Sequence, residues 1–256
     1  MLGIFMAFMV EFGASVRKEL SGVDVKIVRG EHARKIQQAY RLYRQRGRNS
    51  APGSGKAAEF RRRYAVADVS RIHFVGVFDT VGALGIPAPF LGTLGSDRYL
   101  FHDTQPSGII NHARHAVSID ENRQDFEPSL WTPRPGLDLK QVWFAGVHSD
   151  IGGAYKNRAL GDHAGHWLAQ EAEACGLAFE PHFLQNLAPD YTAKQHNEFT
   201  GFYRAMRRRI VREVEPVVHV SVRRRWEDDG VRYRSPALRG LLESVGGDWG
   251  KIQVMF

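Results

Sequence analysis

A single cysteine, Cys175, stands in 256 residues. That excludes an internal disulfide framework and any zinc site built on thiolates. Long apolar runs are scarce as well. The opening MLGIFMAFMV meets Glu11 after ten apolar residues, whereas a membrane-spanning helix needs about 20. It also lacks the basic leader and small-residue cleavage site of a signal peptide. The expectation is a cytoplasmic chain, or one exported by a route that needs no signal peptide. The glycines of HFVGVFDTVGALG form neither G-x-G-x-x-G nor G-x-x-x-x-G-K, so nucleotide binding has no support and no cofactor is expected. Lysine is sparse beside arginine.

What is present is enough for a substantial core: 43% of residues are apolar and 25% are charged, which excludes wholesale disorder. The formal charge is +7. Such a surplus favours anionic partners, phospholipid headgroups or nucleic acid, and a plain solvated basic surface carries it equally well.

Residues 72–78, IHFVGVF, form a continuous apolar run ending at Asp79, and residues 141–147, QVWFAGV, repeat the pattern and end at His148. Runs apolar on both faces belong to parallel sheets. A third run, VVHVSV at 217–222, reads as a further strand. Helical patterns separate these runs at 161–175 and 194–209, and residues 31–46 place Ile36, Ala39, Tyr40 and Tyr43 on one helical face. The expected class is α/β, a mainly parallel sheet flanked by helices, in a single domain over residues 1–256. A Gly- and Pro-rich stretch over 85–110 reads as a substrate-side loop. Cys175 falls on the stripe of Ala164, Leu168 and Ala172 and reads as a small buried hydrophobe, with Gly176 just past the helix end.

Two buried strands thus each deliver a titratable residue at their C-terminal end. In open α/β sheets ligands bind in the crevice outside those ends. A carboxylate and an imidazole meeting there make the orienting and proton-transferring half of a hydrolytic triad. Their order along the chain, Asp79 before His148, fits the Ser…Asp…His order of α/β-hydrolases. Gly152 and Gly153 shape the turn that presents His148. An Asp or His at a strand end also serves merely to cap the next helix, so at this point both readings stand.

QQAYRLYR, FVGVFDTVGALGIP, FHDTQPSGIINHARHAVSIDENRQDFEPSLW, QVWFAGVHSDIGGAY and VHVSVRRRW…YRSPAL, in that order, resemble the type VI secretion phospholipase-effector-like catalytic domain. The likeness runs over about residues 36–240. It implies an α/β-hydrolase-related fold and Ser-Asp-His ester hydrolysis, with the acid on Asp79 and the base on His148. It also implies a phospholipid or other ester substrate, an anionic membrane surface, and an immunity or secretion-apparatus partner.

One departure from the family pattern is plain. The nucleophile of the family sits in a Gly-x-Ser-x-Gly elbow ahead of the QAYRLYR segment, and this chain has none. Ser15 has Gly13 before it but Arg17 after it, Ser54 lies in a Gly/Ser loop, and Ser149 follows the base. The expectation is an N-terminally shortened member, missing strands and elbow, with MLGIFMAFMV the tail of the elbow helix.

Two further constellations compete. His102, Asp103, His112, His115 and Asp150 offer nitrogen and oxygen donors for a metal, but His112 and His115 stand in a helix-like run and no diagnostic ligand spacing occurs, so no metal is expected. The basic tracts RAMRRRIVR (204–212) and RRR (223–225) lack interleaved aromatics, so nucleic acid is not expected; a solvated arginine face of a helix accounts for them. The competing functions are a non-catalytic domain that binds lipid or a partner, and a metal-assisted hydrolase using Asp79, His148 and Asp150.

Overall fold

The computed structural model describes residues 55–64, 71–81, 106–206 and 208–256, together with residues 38, 41 and 42. The chain divides into two compact units, Glu11–Ile72 and a larger one containing His73–Phe256. In the smaller unit, helix α1 (Gly55–Tyr64) buries no side chain, and its Phe60 and Tyr64 rings meet at 4.8 Å. The expected helix over 31–46, the opening apolar run and most of the 85–110 loop lie outside the described residues.

The larger unit is built on a five-stranded parallel sheet flanked by helices, ordered as the chain runs: β1 (Ile72–Phe78), β2 (Ile110–Ser118), β3 (Asp138–Phe144), β4 (Val217–His219) and β5 (Gln253–Met255). Its fold class is therefore the expected one. β1 is the first apolar run; β3 holds residues 141–144 of the second, whose last three residues, 145–147, lie beyond the strand ahead of His148. Both strands are buried at their C-terminal halves because helices cover both faces, which removes the period-two alternation of a half-exposed strand.

β2 departs from the sequence expectation. INHARHAVS reads as helix-like because His112, Arg114 and His115 interrupt the apolar residues, yet it is a strand, pairing with β3 from His112↔Asp138 to Ser118↔Phe144. Each buried polar side chain is partnered. Arg114 donates to Glu171 and to Asp138 at 2.5 and 2.6 Å. His115 is held between Thr80 and Gln141. A strand interior admits such residues when their hydrogen bonds are made.

The 217–222 run divides. The strand stops at His219, whose imidazole accepts from the Ser221 amide and so caps helix α6 (Val220–Glu227). Helix α3 (Asp162–Ala174) matches the 161–175 expectation and ends in a Schellman turn: Leu177 N–H donates to Ala172 and Gly176 N–H to Glu173, with Gly176 at φ +91°. Ala164, Leu168 and Ala172 are buried, but Cys175 is the C-cap and only half-buried, so it packs less deeply than its stripe predicts. After the short α4 (Pro181–Gln185), the 194–209 pattern shortens to α5 (Gly201–Met206).

The core lies on both faces of the sheet. One side gathers Val117, Trp143, Val218 and the α7 (Pro236–Ser244) residues Leu238, Leu241 and Leu242; the other packs Phe144 and Ile151 against Trp167 and Leu168 of α3. Each fully buried large apolar side chain contributes about 1.5–3 kcal/mol. Among the described residues no helix is long and apolar enough to cross a membrane.

Candidate active site

Parallel pairing puts the C-terminal ends of β1, β2 and β3 at one edge of the sheet, where Ser118 ends β2 and His148 comes four positions after the end of β3. Asp79 follows β1, is fully buried and has φ +38°. A non-glycine residue in that region is strained, and such strain persists only where the surroundings hold it. Here they do. The Asp79 amide donates to the Ala116 carbonyl at 2.7 Å, and its Oδ1 accepts from the Ser118 amide at 2.8 Å.

His148 opens the short helix α2 (His148–Ile151) just beyond β3. Its Nδ1 meets Oδ2 of Asp79 at 2.8 Å. The ring is partly exposed and packs edge-on to Phe126, with centroids 5.1 Å apart. The His148 amide donates to Glu121 Oε2 at 3.1 Å. Glu121 is itself buried and held by Arg123, whose guanidinium lies 3.6 Å over the Phe126 ring. Backbone and ring of His148 are therefore fixed by separate contacts.

The approach to this histidine is shaped by glycine on both sides. Gly146 has φ +126°, and a Cβ there would lie 2.9 Å from the Cβ of Asp150, so only glycine fits. Gly153, after the helix, has φ +64°. Gly152 is the C-cap, its N–H donating to the His148 carbonyl at 2.9 Å. The expected Gly-Gly turn is present, with Gly146 an additional requirement ahead of the histidine.

Arg212 is a member of this cluster that the sequence did not point to. It is buried, and one Nη donates to Asp79 Oδ1 at 2.6 Å while the other donates to Oδ2 at 3.1 Å. It also donates to the Ser118 carbonyl and hydroxyl at 2.6 and 2.7 Å and to the Phe126 carbonyl. Burial by itself would raise the Asp79 carboxyl. The Arg212 charge and the hydrogen bonds from His148 and Arg212 outweigh it and hold Asp79 well below the usual carboxylate range. Asp79 is thus an anion, and its Oδ2 anchors the imidazole.

The reading of the basic tracts as a solvated helix face holds for the exposed Arg223 and Arg224 of α6 but not for Arg212 or Arg225. Residues 208–214 are not helical, with Arg212 and Val214 buried and Val211 and Glu213 exposed. Of the 223–225 tract, Arg225 is buried while Arg223 pairs with Glu227 at the surface.

The other candidate donors are committed elsewhere. Thr80 N–H donates to Nε2 of His115, which leaves Nδ1–H to donate to Gln141; burial lowers this imidazole to about 4. His112 is paired with Asp138 at 2.8 Å. Asp150 accepts from His196 Nδ1 at 2.6 Å and from the Val147 amide at 3.1 Å. Among the described residues no three His, Cys, Asp or Glu side chains gather as a metal site. His102, Asp103, Ser15 and Ser54 lie outside the described residues, and Ser149 sits within α2.

Residues 20–171, more than half the chain, match the family described as T6SS, phospholipase effector Tle1-like, catalytic domain. The chain belongs to that family. It is also similar to the uncharacterized protein YEL023C of Saccharomyces cerevisiae, 35% identical over 105 residues, which are 39% of this chain and 14% of that protein. The chain therefore spans a small part of the length of the relative it matches. No solved structure matches. The Tle1-like family assignment agrees with the α/β-hydrolase-like sheet, and the matched segment contains both Asp79 and His148.

Proposed function

We propose that this chain carries the acid–base half of a phospholipid-hydrolysing serine esterase within one catalytic domain, with Asp79 the triad acid and His148 the base. The observation that supports this best is the buried Asp79 carboxylate on His148 Nδ1 at 2.8 Å, at the C-terminal edge of a parallel sheet. With Nδ1 donating to Asp79, Nε2 presents its lone pair. It takes the proton from a serine hydroxyl as that oxygen attacks the ester carbonyl, then returns it to the leaving alcohol. The same cycle, with water as nucleophile, releases the fatty acid. Arg212 keeps Asp79 ionised throughout.

No Gly-x-Ser-x-Gly sequence occurs in the chain. The hydroxyl, and with it one oxyanion-hole amide, has to come from a segment bearing that elbow. The test is phospholipid hydrolysis, together with labelling by a fluorophosphonate, for these 256 residues alone and extended at the N-terminus by an elbow-bearing strand and helix. Turnover and labelling are expected only in the extended form and unaffected by chelators. Turnover lost on chelation would favour the metal-assisted reading. Vesicle binding with no turnover in either form would favour a lipid-binding domain.

The net charge of +7 directs the same proposal to anionic membranes. Each Lys or Arg near such a surface contributes on the order of 1 kcal/mol, within a Debye length of about 10 Å at 0.1 M salt. Binding to vesicles containing phosphatidylglycerol is expected to weaken steeply with salt and to exceed binding to phosphatidylcholine vesicles. Equal binding to both would leave the arginines as a solvated face.

A further inference from the structure

Close to the His148–Asp79 pair, though not lined by either residue, the fold forms an open cavity of about 480 Å³. The two share walls: Glu121, which accepts from the His148 amide, Val147, which precedes His148, and Arg212, which holds Asp79, all line the cavity. The rest of its lining is heavily cationic. Lys194, Arg209, Arg232 and Arg234 contribute from exposed positions and Arg225 from a buried one.

Arg225 is the informative member. The residue is 5% exposed, and among the described residues it makes no ion pair with a carboxylate. It donates only to the backbone carbonyls of Tyr191 and Ala193, the latter at 2.9 Å. Its Nε is buried and makes no hydrogen bond, and the same holds for the Nε of Arg212. The Arg225 guanidinium also lies 5.1 Å over the Tyr233 ring and feels the charges of Asp120, Asp150 and Asp190, but none of these completes the Nε, and a buried donor left over is costly. The carboxylates of the cavity wall are engaged: Asp120 accepts from Gly146 N–H and the Tyr233 hydroxyl at 2.8 and 2.7 Å, and Glu121 is paired with Arg123 at 2.8 Å. The cationic donors are thus in surplus over the anionic acceptors.

We propose that this cavity is an anion subsite for the phosphodiester of a phospholipid headgroup, with Arg225 as its buried cation and Arg232 and Arg234 at its rim. The identity of the ligand rests on the phospholipase reading above; the site itself rests on the cavity and its unpaired donors. Guanidinium suits the task because its planar fork matches phosphate oxygens, often in pairs. Glu121, Val147 and Arg212 link this cavity to the His148–Asp79 pair, so a lipid whose headgroup is held here has its glycerol esters on the side of those shared walls. The cavity would then select a diacyl phospholipid over a neutral glyceride.

Titration calorimetry on the 256-residue protein tests this with three probes: inorganic phosphate, glycerophosphoglycerol and glycerol. Saturable binding of the phosphodiester is expected, with none of glycerol. Arg225→Gln should weaken diester binding at least tenfold, and the double substitution Arg232→Ala, Arg234→Ala, at exposed positions that leave folding intact, about as much. His148→Ala should leave this binding unchanged, so a failed hydrolysis assay and a failed subsite remain distinguishable. No saturable diester binding, binding of inorganic phosphate alone, or unaltered affinity in both arginine variants would overturn the proposal.

Discussion

Replacing Arg212 by methionine is expected to lower the unfolding free energy by about 3–5 kcal/mol, the range for removing one partner of a buried ion pair. The size follows from what stays behind. Asp79 is fully buried, and without Arg212 it keeps only the Ser118 amide and the His148 imidazole, while the carbonyls of Ser118 and Phe126 lose a charged donor. Urea unfolding with a shared slope reads the loss directly. Adding Asp79→Asn to the Arg212 variant is expected to recover part of it, since the stranded charge is then gone.

The pH dependence carries the sign. Asp79 is held below its unfolded value, so its contribution is fully present above the unfolded carboxylate range, about pH 4, and is lost as pH falls toward the folded value. Without Arg212, burial dominates and lifts the carboxyl. The variant's deficit is then largest at neutral pH and narrows on acidification. A loss below about 1 kcal/mol, typical of exposed pairs, with no such narrowing would mean that the pair is not the buried one described here.

The second large effect concerns turnover in the elbow-bearing form. His148→Ala removes the imidazole bonded to Asp79, and hydrolysis is expected to fall on the order of 10⁴-fold, since triad members act as a unit. Asp79→Asn is expected to cost nearly as much in kcat with little change in KM. An amide at that position donates as readily as it accepts, so it no longer selects the tautomer with the proton on Nδ1. Combining the two substitutions should add little to either alone. Multiplicative losses in the double variant would show that the two residues work separately, and the triad assignment would fall.

Asp79 and His148 were legible because both end apolar runs, and a parallel sheet brings such ends to one edge. Arg212 was not, since RAMRRRIVR was read at helical period. In the structure Arg212 and Val214 are buried while Val211 and Glu213 are exposed, but the residue types run against that alternation, with an apolar side chain outward and a charged one inward. β2 was hidden for a related reason. Its buried Arg114 and His115 are tolerated by partners far along the chain, Glu171 and Gln141, which no local pattern announces. The split of 217–222 turns on one imidazole, His219, capping a helix where a further strand residue was expected.

The span of chain between the partners sets when the site can form. Asp79 is separated from His148 by 69 positions and from Arg212 by 133. Closing the longer loop costs only about 0.6 kcal/mol more than closing one of half its length, so the delay is one of order rather than energy. Until residues 208–214 dock, Asp79 is a carboxylate without its cation, and burying it is unfavourable. The β1 end of the site therefore takes its cation from a segment far downstream, and a nascent chain that has not yet reached Arg212 lacks the charge that keeps Asp79 ionised beside His148.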